Sequence, residues 1–175
     1  MSKFSLRDSF IEFCKKNSYE NNNQQIQIVH QLDKFLYPKK TFWDNFFIKR
    51  DKLCFYLHGN VGVGKTMIFN FVYNQLKITK LRLHFNEFMI SFHNFRHDKD
   101  DDNSIHSFVK NLKNKYELIY LDEFQVTNIV DAMILGKLFK RIFEENIKVI
   151  FSSNIEIDNL YKDGLQRDQF IPFIK

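Results

Sequence analysis

Over the first fifty residues, apolar positions recur at helical spacing: Phe10, Ile11 and Cys14, then Ile26, Val29, Leu32 and Leu36 ahead of Pro38. This predicts two helices joined by the polar stretch 17–25. From Leu53 onward, short apolar runs alternate with longer amphipathic segments. Leu53-Cys54-Phe55-Tyr56-Leu57-His58 stops at Gly59 and reads as a buried parallel strand. A helix is expected from Lys65 with Ile68, Phe69 and Val72 inward, then a strand over 81–85 and a helix through Phe88, Met89, Phe92 and Phe95. The acidic run 98–103 reads as a solvated loop capping a helix over 104–112. Leu118-Ile119-Tyr120-Leu121 is a third strand, ended by Asp122-Glu123. The next helix has Val130, Ile134, Leu138 and Ile142 inward at spacing four, with Lys137, Lys140 and Arg141 outward. A fourth strand over 147–151 ends in Ser152-Ser153-Asn154. Four strand–helix units without internal repeats predict an α/β fold, a parallel sheet covered by helices. The expected division is an N-terminal helical segment, 1–52, followed by the α/β core, 53–175.

A chain of 175 residues suits one domain with its own core. Its 44% hydrophobic and 27% charged content excludes intrinsic disorder. The net charge of +5 is compatible with nucleotide, RNA or an acidic membrane surface and selects none of them. Cys14 and Cys54 lie far apart, without the spacing of a zinc site or a disulfide framework, which fits a reducing intracellular compartment. No apolar run approaches the roughly 18 to 20 residues of a membrane span, and residues 1–8 lack a secretory apolar core.

The sharpest chemical signal is Gly59-Asn60-Val61-Gly62-Val63-Gly64-Lys65-Thr66. Glycines let backbone N–H groups wrap a phosphate, a lysine reaches the outer phosphates, and a Thr hydroxyl can ligate Mg²⁺. At ordinary residue frequencies the pattern arises by chance in under about 1% of chains this long. Its context agrees, since an apolar strand ends at the first glycine and a helical pattern begins at Lys65. Some 60 residues later, Asp122 and Glu123 end an apolar strand. In a nucleotide site Asp122 would hold the Mg²⁺ shell and Glu123 would orient and deprotonate the attacking water. Asn154, just after the fourth strand, is either a γ-phosphate sensor or the cap of the next helix. Arg167 is either an arginine finger offered to a neighbouring subunit or a surface residue.

These motifs carry a family resemblance. Tyr56 to Met67, then Leu83-His84-Phe85-Asn86-Glu87-Phe88-Met89, then Leu121-Asp122-Glu123-Phe124-Gln125-Val126-Thr127 running on to Asp131-Ala132-Met133-Ile134-Leu135, look like the ZapE family of AAA+ ATPases. That family includes the bacterial Z-ring-associated ATPase and its mitochondrial relatives. Leu160-Tyr161-Lys162-Asp163-Gly164-Leu165-Gln166-Arg167 is similar to the family's segment after the sensor strand. The resemblance implies a P-loop AAA+ core of sheet order 5-1-4-3-2 that binds ATP and Mg²⁺, forms a homo-oligomeric ring and acts on proteins. Bacterial members belong to the division ring at the inner membrane, mitochondrial members to protein quality control. It also implies that Lys65 and Thr66 bind phosphate and metal, Asp122 and Glu123 are metal ligand and base, Asn154 is the sensor and Arg167 the finger. The chain departs from the family pattern at Val63, where Arg is usual, at Asn86, where His is usual, and at Asn154-Ile155-Glu156-Ile157, where Asn-Arg-x-Pro is usual.

The resemblance further implies a fifth strand and a helical lid beyond Lys175. The expectation is therefore a C-terminally truncated core in which the strand over 53–58 is a sheet edge. Three functions follow: an ATPase remodelling protein partners in the cytoplasm, at the inner membrane or in mitochondria; a nucleotide-binding fragment with little turnover; and a nucleic-acid-associated module of helicase-loader type. The specific motifs favour the first, and nucleic acid is the less expected partner.

Overall fold

The computed structural model describes residues 5–38, 52–96 and 101–174. Part of the predicted N-terminal segment, 39–51, and part of the predicted acidic loop, 98–100, lie outside the described residues. The chain divides into two compact units, Met1–Phe55 with Gly62–Lys77, and Tyr56–Val61 with Ile78–Lys175.

In the first unit, α1 (Leu6–Lys16) buries Leu6, Phe10 and Cys14, a run at spacing four that makes one stripe. Helix α2 (Asn23–Leu36) buries Val29, Leu32, Phe35 and Leu36, and begins within the stretch expected to be a connection because Asn22 caps it. Helix α3 (Lys65–Gln75) turns Ile68, Phe69, Phe71 and Val72 inward. The Phe71 ring packs 5.1 Å from those of Phe10 and Phe13, which fastens α1 to α3.

The sheet comprises β1 (Cys54–His58), β2 (Lys80–His84), β3 (Leu118–Asp122) and β4 (Lys148–Ser153), in the order β1-β4-β3-β2. This is the order the resemblance implies for these four strands. Register is parallel, with Leu118 opposite Lys148 and Lys80 opposite Leu118. Strand β1 lies at the edge, and none of its residues is buried, so the expectation of a buried strand at 53–58 is corrected.

On one sheet face Ile119, Leu121, Val149 and Phe151 join the core of the second unit with α4 (Phe85–Arg96), α5 (Asp101–Lys115), α6 (Ile129–Glu144) and α7 (Arg167–Ile174). On the other face Leu118, Tyr120 and Ile150 are no more than 2% exposed, so both faces are covered. No described helix is long and apolar enough to cross a membrane.

Element boundaries and one inward position differ from the sequence reading, β4 among them, which runs over Lys148–Ser153 instead of 147–151. Phe85 opens α4 instead of closing β2, and it is buried there. Helix α5 starts at Asp101 instead of residue 104, since acidic residues favour the positive end of a helix. Val130 is 54% exposed. A spacing of four advances about 40° per step, so three steps carry Val130 roughly 120° away from Ile142. Asp131 takes the buried place, its carboxylate bonded to Asn128 and His93 at 2.7 Å each.

Phe139 sits at the centre of the second unit, 0% exposed, with ring centroids 5.1 Å from Phe151 and 5.6 Å from Phe173. Phe139→Ala is expected to cost about 3–5 kcal/mol. Val130→Ala should stay within about 0.5 kcal/mol. Urea denaturation read by the midpoint at constant slope checks both.

Candidate functional site

The predicted phosphate loop is built on two left-handed glycines. Gly62 has φ 86° and Gly64 φ 87°, values that L side chains adopt only with strain. Gly64 is the N-cap of α3 and has no side chain with which to cap it. Helices α1, α2 and α6 are capped by side chains: Ser5 accepts from the N–H of Asp8, Asn22 from Gln24 and Asn128 from Asp131. The first turn of α3, with Lys65 and Thr66, therefore follows an N-cap that brings no side-chain oxygen of its own to the N–H groups. Gly62, Val63, Gly64, Lys65 and Thr66 belong to the first unit, and Gly59, Asn60 and Val61 to the second.

In the second unit, polar groups gather at the C-terminal ends of the strands. The Gly59 N–H donates to the Ser153 carbonyl at 3.2 Å, and the Phe124 N–H to the Ser152 carbonyl at 2.7 Å. Ser153 Oγ donates to the Phe124 carbonyl at 2.6 Å and accepts from the Ile155 N–H at 3.0 Å. The ends of β1, β4 and β3 are thereby tied together, which brings Gly59, Asp122 and Glu123 to one edge of the sheet.

Asp122 and Glu123 are neighbours in different environments. The Asp122 side chain is 14% exposed and pairs with Arg82 at 3.0 Å, while Ser152 Oγ donates to its other oxygen. Arg82 also lies over the Tyr120 ring, 4.8 Å from its centroid. Burial alone would push the Asp122 carboxyl up, but hydrogen bonds from Ser152 and Arg82 outweigh it and hold the group below its ordinary value. Glu123 is 71% exposed, with His84 Nδ1 3.6 Å from its carboxylate. Its backbone is left-handed, φ 54°, a strain of about 1–2 kcal/mol for a residue with a Cβ.

Asn154 is exposed directly after β4. The turn that follows, Ile157–Asn159, has Glu156 as its N-cap, so Asn154 does not cap it. Arg167 opens α7, and its guanidinium donates to the Asp158 carbonyl of its own chain at 2.6 Å. On α6, Lys137 meets Asp102 at 3.3 Å, and Arg141 pairs with Glu144 and Glu145 at 3.3 and 2.8 Å, so these two basic residues are matched by acids.

The sequence reading missed Arg82, His84 and Ser152. Strand alternation alone could not have found them, because it is the register of β2 against β3 that sets Arg82 beside Tyr120 and His84 beside Asp122.

The Arg82–Asp122 pair has a pH consequence. A depressed folded-state value contributes stability in full above the ordinary value of 3.8, and that stability is lost as pH falls through the folded value. Arg82→Met removes the main ionic partner and raises the carboxyl. The stability difference between wild type and variant should be largest at neutral pH and shrink in acid below 3.8. Urea denaturation at the two pH values measures it, and a pH-independent difference would contradict the assignment.

The profile of the AFG1-like ATPase family matches residues 5–175. "Lactation elevated protein 1 homolog B" of Danio rerio is 38% identical over 133 residues, 69% of this chain and 26% of that protein. "Cell division protein ZapE" of Escherichia coli K12 is 37% identical over 121 residues, 68% of this chain and 32% of that protein. The matched region thus spans about a quarter to a third of these relatives. AMPPCP-bound DnaA from Aquifex aeolicus shares the fold, with a TM-score of 0.59 at 13% identity over 99% of this chain and 48% of that one.

Proposed function

Given that the chain belongs to the AFG1-like ATPase family and has a P-loop AAA+ fold, we propose that it binds ATP at residues 59–66 and hydrolyses it with Mg²⁺. The observation that carries this reading is the start of α3, where left-handed Gly64 replaces the side-chain cap used by α1, α2 and α6. An anion there takes the N–H groups that a Ser or Asn would otherwise occupy.

The residues suit both groups. Gly59, Asn60, Val61, Gly62, Val63 and Gly64 supply backbone donors, and Lys65 an ammonium for the outer phosphates. Thr66 and Asp122 supply hydroxyl and carboxylate oxygens, the hard donors that Mg²⁺ prefers, and Asp122 is held in its ionised form. Bound Mg²⁺ would neutralise charge developing on the phosphoryl oxygens. Glu123, exposed and strained into place, is the base that orients and deprotonates water. Asn154 is the γ-phosphate sensor, and Arg167 the finger for a neighbouring subunit after release from Asp158.

On the same reading ATP turnover drives action on protein partners within a homo-oligomer, in the cytoplasm, at a membrane surface or in mitochondria. Support comes from similarity to the bacterial cell division protein and the lactation elevated homolog. The acid-matched basic residues of α6 give a nucleic-acid partner less support.

Steady-state ATPase measurements with a parallel binding assay test the core of this reading. Lys65→Ala should abolish nucleotide binding. Glu123→Gln should keep binding while lowering turnover about 100-fold or more. Binding without wild-type turnover would select a nucleotide-binding module instead, and Lys65→Ala binding as wild type would overturn the phosphate-site assignment.

A further inference from the structure

Gln25 stands three residues after the N-cap Asn22, where a Gln side chain ordinarily folds back on the N-cap's own N–H to complete a capping box. Here its Nε2 donates instead to the carbonyl of Val63 at 3.1 Å, 38 residues along the chain. Both residues belong to the first unit.

The contact falls between the two left-handed glycines. A Cβ on Gly64 would lie 2.5 Å from Gln25 Nε2 and 3.5 Å from its Cδ, so the carboxamide fills the space that the missing side chain leaves. A Cβ on Gly62 would meet nothing within 4 Å, so φ alone demands glycine there.

We propose that Gln25 is a positioning residue of the phosphate loop, fixing the orientation of the Val63–Gly64 peptide. In a planar trans peptide the C=O and N–H point in opposite directions. Anchoring the Val63 oxygen on Gln25 therefore aims the Gly64 N–H away from α2. Glycine tolerates either sign of φ, so without that anchor the peptide can flip and turn a carbonyl to the side where the phosphate needs a donor. Gln25 thus selects the anion-binding form of the loop before nucleotide arrives. This inference rests on the proposed nucleotide site.

Two variants of similar length and good helix propensity separate the hydrogen bond from packing and folding. Gln25→Met keeps the stem against Gly64 but cannot donate. Gln25→Glu also cannot donate, and it sets an anion beside the Val63 carbonyl. Affinity for a fluorescent ATP analogue is measured with the full chain, together with amide hydrogen exchange over residues 62–66 in the nucleotide-free protein. Gln24→Ala, one residue away and exposed, serves as control. The expected result is a loss of about 3- to 10-fold for Met and a larger loss for Glu, with faster exchange in both and no change for Gln24→Ala. Where turnover is measurable, KM should rise by the same factor while kcat stays within about twofold. Gln25→Met with wild-type affinity and wild-type exchange overturns the proposal, whatever Glu does. A wild type that binds no nucleotide removes the reading beneath it, and exchange over 62–66 then decides the role of Gln25 alone.

Discussion

Strands β3 and β4 are buried on both faces, and that constraint shapes everything built on them. Leu118, Ile119, Tyr120 and Leu121 are no more than 2% exposed, and Val149, Ile150 and Phe151 no more than 3%. An unpaired polar side chain in the middle of such strands would lose its water without a partner, at a cost of several kcal/mol. Polar chemistry is therefore displaced to the strand ends. Because the strands run parallel, Asp122, Ser152 and Ser153 emerge at the same edge. The collection of functional candidates there is a consequence of the core before it is a feature of any mechanism.

The same edge explains how two adjacent acids diverge. Asp122 is the last residue of β3, still shielded enough for Arg82 and Ser152 to hold it ionised. Glu123 is the first residue beyond the ladder, and its positive φ swings the side chain out to solvent. The backbone stays in this unfavourable conformation because the next residue is fastened on both sides: Phe124 donates to Ser152, accepts from Ser153, and packs its ring 4.5 Å from Phe151. Strain at Glu123 is thus sustained by packing one residue further on.

Much of this was legible in the sequence wherever one residue's neighbours decide its state. The loop ending in Lys65-Thr66, the apolar run before Asp122 and the inward positions Ile134, Leu138 and Ile142 needed only local pattern. Val130 was misread because four-residue spacing was extended over three steps, where helical drift accumulates. The early start of α5 was missed because an acidic run reads equally well as loop or as first helical turn. Arg82 and Gln25 were invisible for another reason. Arg82 is recognised through the register of β2 against β3, and Gln25 through a contact across 38 residues. Neither register nor long-range contact is encoded in spacing.

The treatment of helix starts ties these observations together. Ser5, Asn22 and Asn128 each satisfy a first-turn N–H of their own helix, an interaction worth about 1 kcal/mol relative to Ala. Helix α3 has only Gly64, which costs just a few tenths relative to those caps and brings no side-chain oxygen to the N–H groups. A glycine start alone would be a liability, since a glycine-rich segment explores many conformations. The loop is constrained from outside, by a side chain that forgoes capping its own helix to reach Val63. An open helix start and a distant carboxamide are therefore complementary: the first leaves donors for an anion, and the second limits the directions in which those donors point.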